Sequence, residues 1–269
     1  MTIHIQKYVR VMRTTFIDMT AYIGEFFGLI TWTPLHFIIL FFIWTIIYQS
    51  PQTEANLGYE LSEILGYSLI ITLIAEVLVL YRVAWRIESD NLNGTLTIYL
   101  CRPVDYLAFT FVETIPISIV NFVLSLPIVV FLISIMSLPI QLDFLTLLGF
   151  ILSLIISYIL NFLGFVLVGM STFYIRNIWA VRVSYMTTMQ IIGGELLPVD
   201  LLPPIINEIA HFLPFHLISF IPAQWILGRM YLSELIFSIC QGILWIIILI
   251  LLTKHLWNKA IEKFEAAGG

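Results

Sequence analysis

Charge is what this chain has least of. Only 11% of its 269 residues are Asp, Glu, Lys or Arg, and 60% are hydrophobic, where a globular domain carries about 25% charged residues. With a mean hydropathy of +1.01, an ordinary soluble domain is excluded. Cysteine is scarce too. Cys101 lies in a polar stretch and Cys240 in a late apolar run, so no disulfide framework is expected. The chain has no G-x-x-x-x-G-K-[ST] run, no H-E-x-x-H and no G-x-S-x-G. It therefore offers no phosphate-cradling loop, helical zinc pair or nucleophile elbow. His4, His36, His211, His216 and His255 are scattered, without the spacing of a metal site. Neither a metal nor catalysis by this chain is expected.

What the chain does have is long apolar runs. A helix needs about 20 residues to cross some 30 Å of hydrocarbon. The runs reach that length without the alternation of a barrel strand. They predict an all-α membrane protein with six transmembrane helices, at about 26–48, 64–83, 108–136, 144–170, 178–192 and 232–252. The whole of 1–269 reads as one transmembrane domain. The first run follows a basic lead and no A-x-A-like site comes after it, so no cleaved signal peptide is expected. Within residues 3–25, Ile5, Val9, Met12, Phe16 and Met19 recur at three- and four-residue spacing, and Lys7 and Arg10 fall on another face. That pattern predicts an amphipathic helix lying in the interface against lipid headgroups.

The basic residues orient this topology. Of the 12 Lys and Arg residues, only Arg229 falls on the side opposite the termini. By the positive-inside rule both termini, and the tail 253–269, are cytosolic. One missed span would invert every later loop and destroy the asymmetry.

Two segments interrupt the pattern. Residues 88–105, ESDNLNGTLTIYLCRPVD, form a polar stretch between the second and third spans on the cytosolic side, and need water or a protein partner. Residues 193–231 are too apolar for a solvated loop, yet are broken by Pro198, Pro203, Pro204 and Pro214. Short helices re-entering the outer leaflet, or lying on it, are expected there. Glu76, Glu113 and Arg182 are ionisable residues set inside spans. Glu113 and Arg182 lie about 8 Å deep at 1.5 Å per residue, so Arg182 is expected to pair with Glu113 or Glu76. Such residues mark either packing ion pairs or a proton path.

The run NGTLTIYLCRPVDYLAF resembles the permease subunits of type-2 ATP-binding-cassette exporters. In that family a Gly-Thr-Leu segment (here Gly94, Thr95, Leu96) and a Leu-x-Arg-Pro segment (Leu100, Arg102, Pro103) sit between the second and third spans. The basic N-terminal helix, the segment LLPVDLLPPIINEIAHFLPF and the tail with Trp257, Ala260 and Gly268 extend the likeness over nearly the whole chain. The resemblance implies that 88–105 is a coupling helix docking on a separate ATPase subunit, which would bind ATP and Mg. Glu88, Asp90, Asn91, Gly94, Thr95, Leu96, Tyr99, Leu100, Arg102 and Pro103 would form that contact. Arg102 offers a fork of donors, Leu96, Tyr99 and Leu100 offer apolar knobs, and Gly94 and Pro103 bracket a short helix. The implied partners are a second copy or a related permease, and membrane lipids, with no nucleic acid. The implied place is the cytoplasmic membrane of a prokaryote, and the implied cargo an amphipathic or lipid-like molecule moved outward. Two alternatives stand beside this reading: a secondary transporter carrying protons on Glu76 and Glu113, and a non-transporting membrane scaffold.

Overall fold

The computed structural model describes residues 2–21, 23–49, 57–138, 140 and 143–264, with backbone alone for 2–5, 20–21 and 23–30. Gly268 and the side chain of Ile5 lie outside the described residues. The described chain is all helical, with no strand. Helix α1 (Thr2–Ala21) and α2 (Ile23–Ile47) precede α3 (Leu61–Val77) and α4 (Tyr81–Leu92). The short α5 (Leu96–Leu100) leads into α6 (Tyr106–Met136), α7 (Phe144–Met170) and α8 (Trp179–Ile192). After α9 (Pro204–Phe212) and α10 (Phe220–Ile226), α11 (Leu232–Glu262) ends the bundle.

The sequence sets the helix starts with carboxylates. Asp105 accepts the Ala108 N–H at 2.7 Å ahead of α6, and Asp143 accepts the Leu145 N–H at 3.1 Å ahead of α7, each satisfying a donor the helix leaves unpaired. Before α3, the Glu60 N–H donates to Glu63 Oε2 at 2.9 Å. Ser137, at φ 50°, ends α6 in the left-handed region.

Helix α3 is hydrophobic on all sides and buried on all sides, with Ile64 through Ile74 inside the bundle, as a helix with no polar face must be. Helices α6 and α11 bury narrow stripes and leave Phe131, Ile135, Phe237 and Leu251 exposed, surface that suits hydrocarbon. Helix α7 packs against α11, α4 and α10, while α1 and α2 lie on α6. Leu61–Leu92, Tyr106–Met136, Phe144–Phe173 and Leu232–Glu262 are each long and apolar enough to cross a membrane, among the described residues. Helix α8, at 14 residues, covers about 21 Å and is shorter than a full crossing.

Two details refine the expected spans. The run expected at 64–83 is interrupted at 78–80 and continues as α4 to Leu92, so the polar stretch begins inside a helix. The interruption frees carbonyls at depth, where they need partners. Asn121 donates to Glu76 O at 3.1 Å and Asn161 to Leu78 O at 3.2 Å. In 193–231 the prolines open the short helices: Pro204 is the first residue of α9, and Pro198 and Pro214 begin 3-10 turns, positions where a missing N–H costs nothing.

Candidate functional site

The polar stretch folds as the last turns of α4, a tight turn, α5 and a second turn into α6. Gly94 sits at φ 71° in the first turn, a conformation that disfavours a side chain. The Thr95 hydroxyl donates to Asp90 Oδ1 at 2.7 Å and Tyr106 donates to Asp90 Oδ2 at 2.7 Å. Asp90 thereby clamps the turn to the start of α6.

Arg86 is the hub of this end of the bundle. Its guanidinium donates to Glu113 Oε2 and, at 2.9 Å, to the Tyr99 hydroxyl, and it lies 3.4 Å from Asp90 Oδ2. It also sits 5.3 Å from the Phe109 ring centroid, so its charge is met by carboxylates and ring faces together. One cation thus joins α4, α5 and α6.

The expected pairing of Arg182 with Glu113 or Glu76 does not form. Arg182 reaches Glu88 Oε2 at 3.5 Å and lies 4.7 Å over the Trp85 ring, Glu113 is held by Arg86, and Glu76 accepts from the Thr33 hydroxyl at 3.2 Å. The reason is the continuation of α4: another helix of acids and aromatics lies beside α8, and Glu88 comes nearer to Arg182 than the span acids do.

The stretch therefore has two faces. Glu88 also accepts the Ile178 N–H at 3.2 Å, and Asn91 donates to the Thr172 carbonyl at 3.3 Å, so Glu88, Asp90 and Asn91 are engaged within the chain rather than by a partner. Leu96, expected as an apolar knob, is 1% exposed in a core with Ile87, Phe165 and Ala260. The face it would need is turned inward because Asp90 holds the preceding turn. Tyr99 is packed between Tyr106 and Phe109. What stays exposed is Ser89, Leu92, Asn93, Ile98, Leu100, Cys101, Arg102, Pro103 and Asp105. Sequence reasoning missed Ile98, although its two-residue offset from Leu96 on a short helix signals the opposite face. The amphipathic lead reaches the same place, with Lys7 donating to the Pro103 carbonyl at 3.4 Å.

The arrangement is a ridge on which Ile98, Leu100 and Pro103 are exposed beside Arg102, wired through Arg86, Asp90 and Glu88 into α6 and α8. Among the described residues no group of three or more His, Cys, Asp or Glu could hold a metal ion. Such a surface can bind another protein and pass a displacement to the helices behind it.

The family model described as "ABC-2 family transporter protein" matches residues 34–268, from inside α2 to the tail. No curated protein matches the chain. The chain belongs to the ABC-2 transporter family.

Proposed function

We propose that this chain is the membrane-spanning half of an ATP-driven exporter, energised by a separate ATPase subunit that docks on the ridge formed by Ile98, Leu100 and Arg102. The observation that carries the reading is that this apolar and basic surface is exposed while its supports are locked. An acidic and apolar groove on the ATPase is the complement it requires. ATP and Mg belong to that subunit. Its closure would move the ridge, and the web through Arg86 would carry the movement into α4 and α6, because a packed element shifts as a body.

The export path is proposed to run between two such chains, identical or related, in the cytoplasmic membrane of a prokaryote, with both termini in the cytosol. What supports this is α8. Ser184, Thr187 and Gln190 share one exposed face of that helix, and polar groups turned toward lipid are costly. A second permease facing them gives them a place, and lets an amphipathic or lipid-like cargo pass outward along hydroxyl and amide groups.

Co-expression with the cognate ATPase tests the docking. The I98E/R102E variant is expected to lose ATPase co-purification about tenfold or more, as a central apolar and arginine anchor pair does, with its melting temperature unchanged. Full retention of the ATPase by that variant would remove the reading.

A further inference from the structure

At the opposite end of α11, a helix of 31 residues some 46 Å long, from the turns that brace the ridge, a cavity of about 530 Å³ opens between the proline-broken segment and the first turns of α11. Its walls include Asp200, His216, Gln224, Arg229, Glu234 and Phe237. The hydrogen-bond inventory of these groups is one-sided.

Gln224 is 4% exposed. Its Nε2 donates to Asp200 Oδ2 at 2.9 Å and to the Tyr59 hydroxyl. The carboxylate fixes which end of the amide is nitrogen. Its Oε1 is buried and has no partner among the described residues, and a buried acceptor left unpaired costs about 1–3 kcal/mol. Asp200 takes both the Gln224 and the Tyr59 donors on Oδ2. Glu234 takes the Tyr231 N–H on Oε2 at 2.7 Å. Among the described residues each carboxylate therefore keeps an oxygen. His216 donates from Nδ1 to the Leu213 carbonyl at 2.8 Å, and burial, followed by the neighbouring His211, lowers its pKa to about 4, so it is uncharged.

The cation on the wall is already used. Arg229 meets Glu63 Oε2 at 2.6 Å and the Gly58 carbonyl at 2.9 Å, and stands 3.8 Å over the Tyr59 ring. An anion entering the cavity would face two carboxylates with that arginine committed elsewhere. A metal ion would find no cluster of three suitable ligands among the described residues, and the volume far exceeds one ion. A positively charged donor on an organic body fits all of these: its N–H groups answer Gln224 Oε1 and the two carboxylates, and its body lies along Phe237.

We infer that this cavity is a binding site for the protonated amine of an organic cation, held by Asp200, Gln224 and Glu234. The amine belongs either to a lipid headgroup or to a soluble amine, and both present the same chemistry.

The test uses the full chain in phosphatidylcholine nanodiscs, without the ATPase, so its outcome is separate from that of the docking experiment. Labelled spermidine is expected to bind saturably and to resist displacement by the uncharged 1,8-octanediol. D200N/E234Q, which keeps an oxygen for each present donor, is expected to weaken binding about tenfold with an unchanged melting temperature. The single E234Q should fall between. Suppression of spermidine binding in discs containing phosphatidylethanolamine would assign the site to a lipid amine. Undiminished binding there would assign it to a soluble one. No saturable binding in phosphatidylcholine, equal binding by D200N/E234Q, or equal competition by octanediol would overturn the inference.

Discussion

Tyr106 and Trp257 stack face to face, ring centroids 5.4 Å apart and planes 7° from parallel. The first residue of α6 is thereby tied to the last turns of α11, and Trp257 also meets Phe173 edge-on. Tyr106 is the residue whose hydroxyl holds Asp90, so the stack braces the ridge from the tail. An aromatic pair contributes about 0.5–1.5 kcal/mol beyond its buried area. Trp257→Ala is expected to lower the melting temperature of the purified chain by several degrees, at roughly 2–4 °C per kcal/mol, and to weaken ATPase co-purification. Trp257→Phe should retain most of both. Calorimetry and co-purification on the three proteins check this.

The helical bundle was legible because its signals are long: apolar runs of helix length, and a cluster of prolines in 193–231 that breaks that apolar segment into short pieces. The brace just described was not. Trp257 and Tyr106 are 151 positions apart, and nothing local marks them as neighbours. The short helix α5 was legible in place but not in orientation. Gly94 and Pro103 mark where α5 lies, yet which of Leu96 and Ile98 faces outward depends on Asp90 holding the turn. Arg182 was misassigned for a similar reason. Depth along a span ranks candidate partners only when the helices are continuous, and the interruption at 78–80 brought Glu88 closer than either span acid. Asn121 and Asn161 were readable in principle, as lone amides within apolar runs.

Arg86 supports three helices through one guanidinium. Removing it leaves Glu113 and Asp90 without their cation, and an uncompensated partly buried charge costs more than the pair gives. Arg86→Met is expected to be destabilised by on the order of 2–4 kcal/mol. Arg86→Met/Glu113→Leu should be closer to the parent than the single variant, since the stranded charge goes with its partner. Additive losses in thermal unfolding would show that the two side chains act separately.

Glu195 follows α8 and accepts from the Ser219 hydroxyl at 3.4 Å. Burial raises its pKa from 4.5 to about 7, the Ser219 hydrogen bond pulling the other way. Between these values the folded chain holds a proton that the unfolded chain has released. Its contribution to stability is therefore complete below pH 4.5 and is lost as pH rises through about 7. Melting temperatures across that window should decline more steeply for the parent than for Glu195→Gln, which has no proton to lose. Parallel profiles would exclude this carboxyl as a source of the slope.

Gly169 marks a tight approach of α7 to α4. A Cβ built there would stand 2.9 Å from Ile87 Cβ and 3.1 Å from the Ala84 Cα, so the obstacle includes backbone and cannot be relieved by rotating a side chain. Two effects compete in Gly169→Ala. Helix propensity favours alanine by about 0.8–1.0 kcal/mol, while overpacking a tight contact costs about 1–3 kcal/mol. Overpacking wins, and α4 is displaced from α7. Because α4 carries Arg86 and leads into the ridge, the displacement should reach the proposed docking surface: ATPase co-purification should fall together with the melting temperature. Adding Ile87→Ala removes the Cγ and Cδ atoms but neither its Cβ nor the Ala84 backbone, so recovery should be partial. Full recovery in the double variant would place the contact on the Ile87 side chain alone. A Gly169→Ala protein as stable as the parent would show that the two helices are free to move apart.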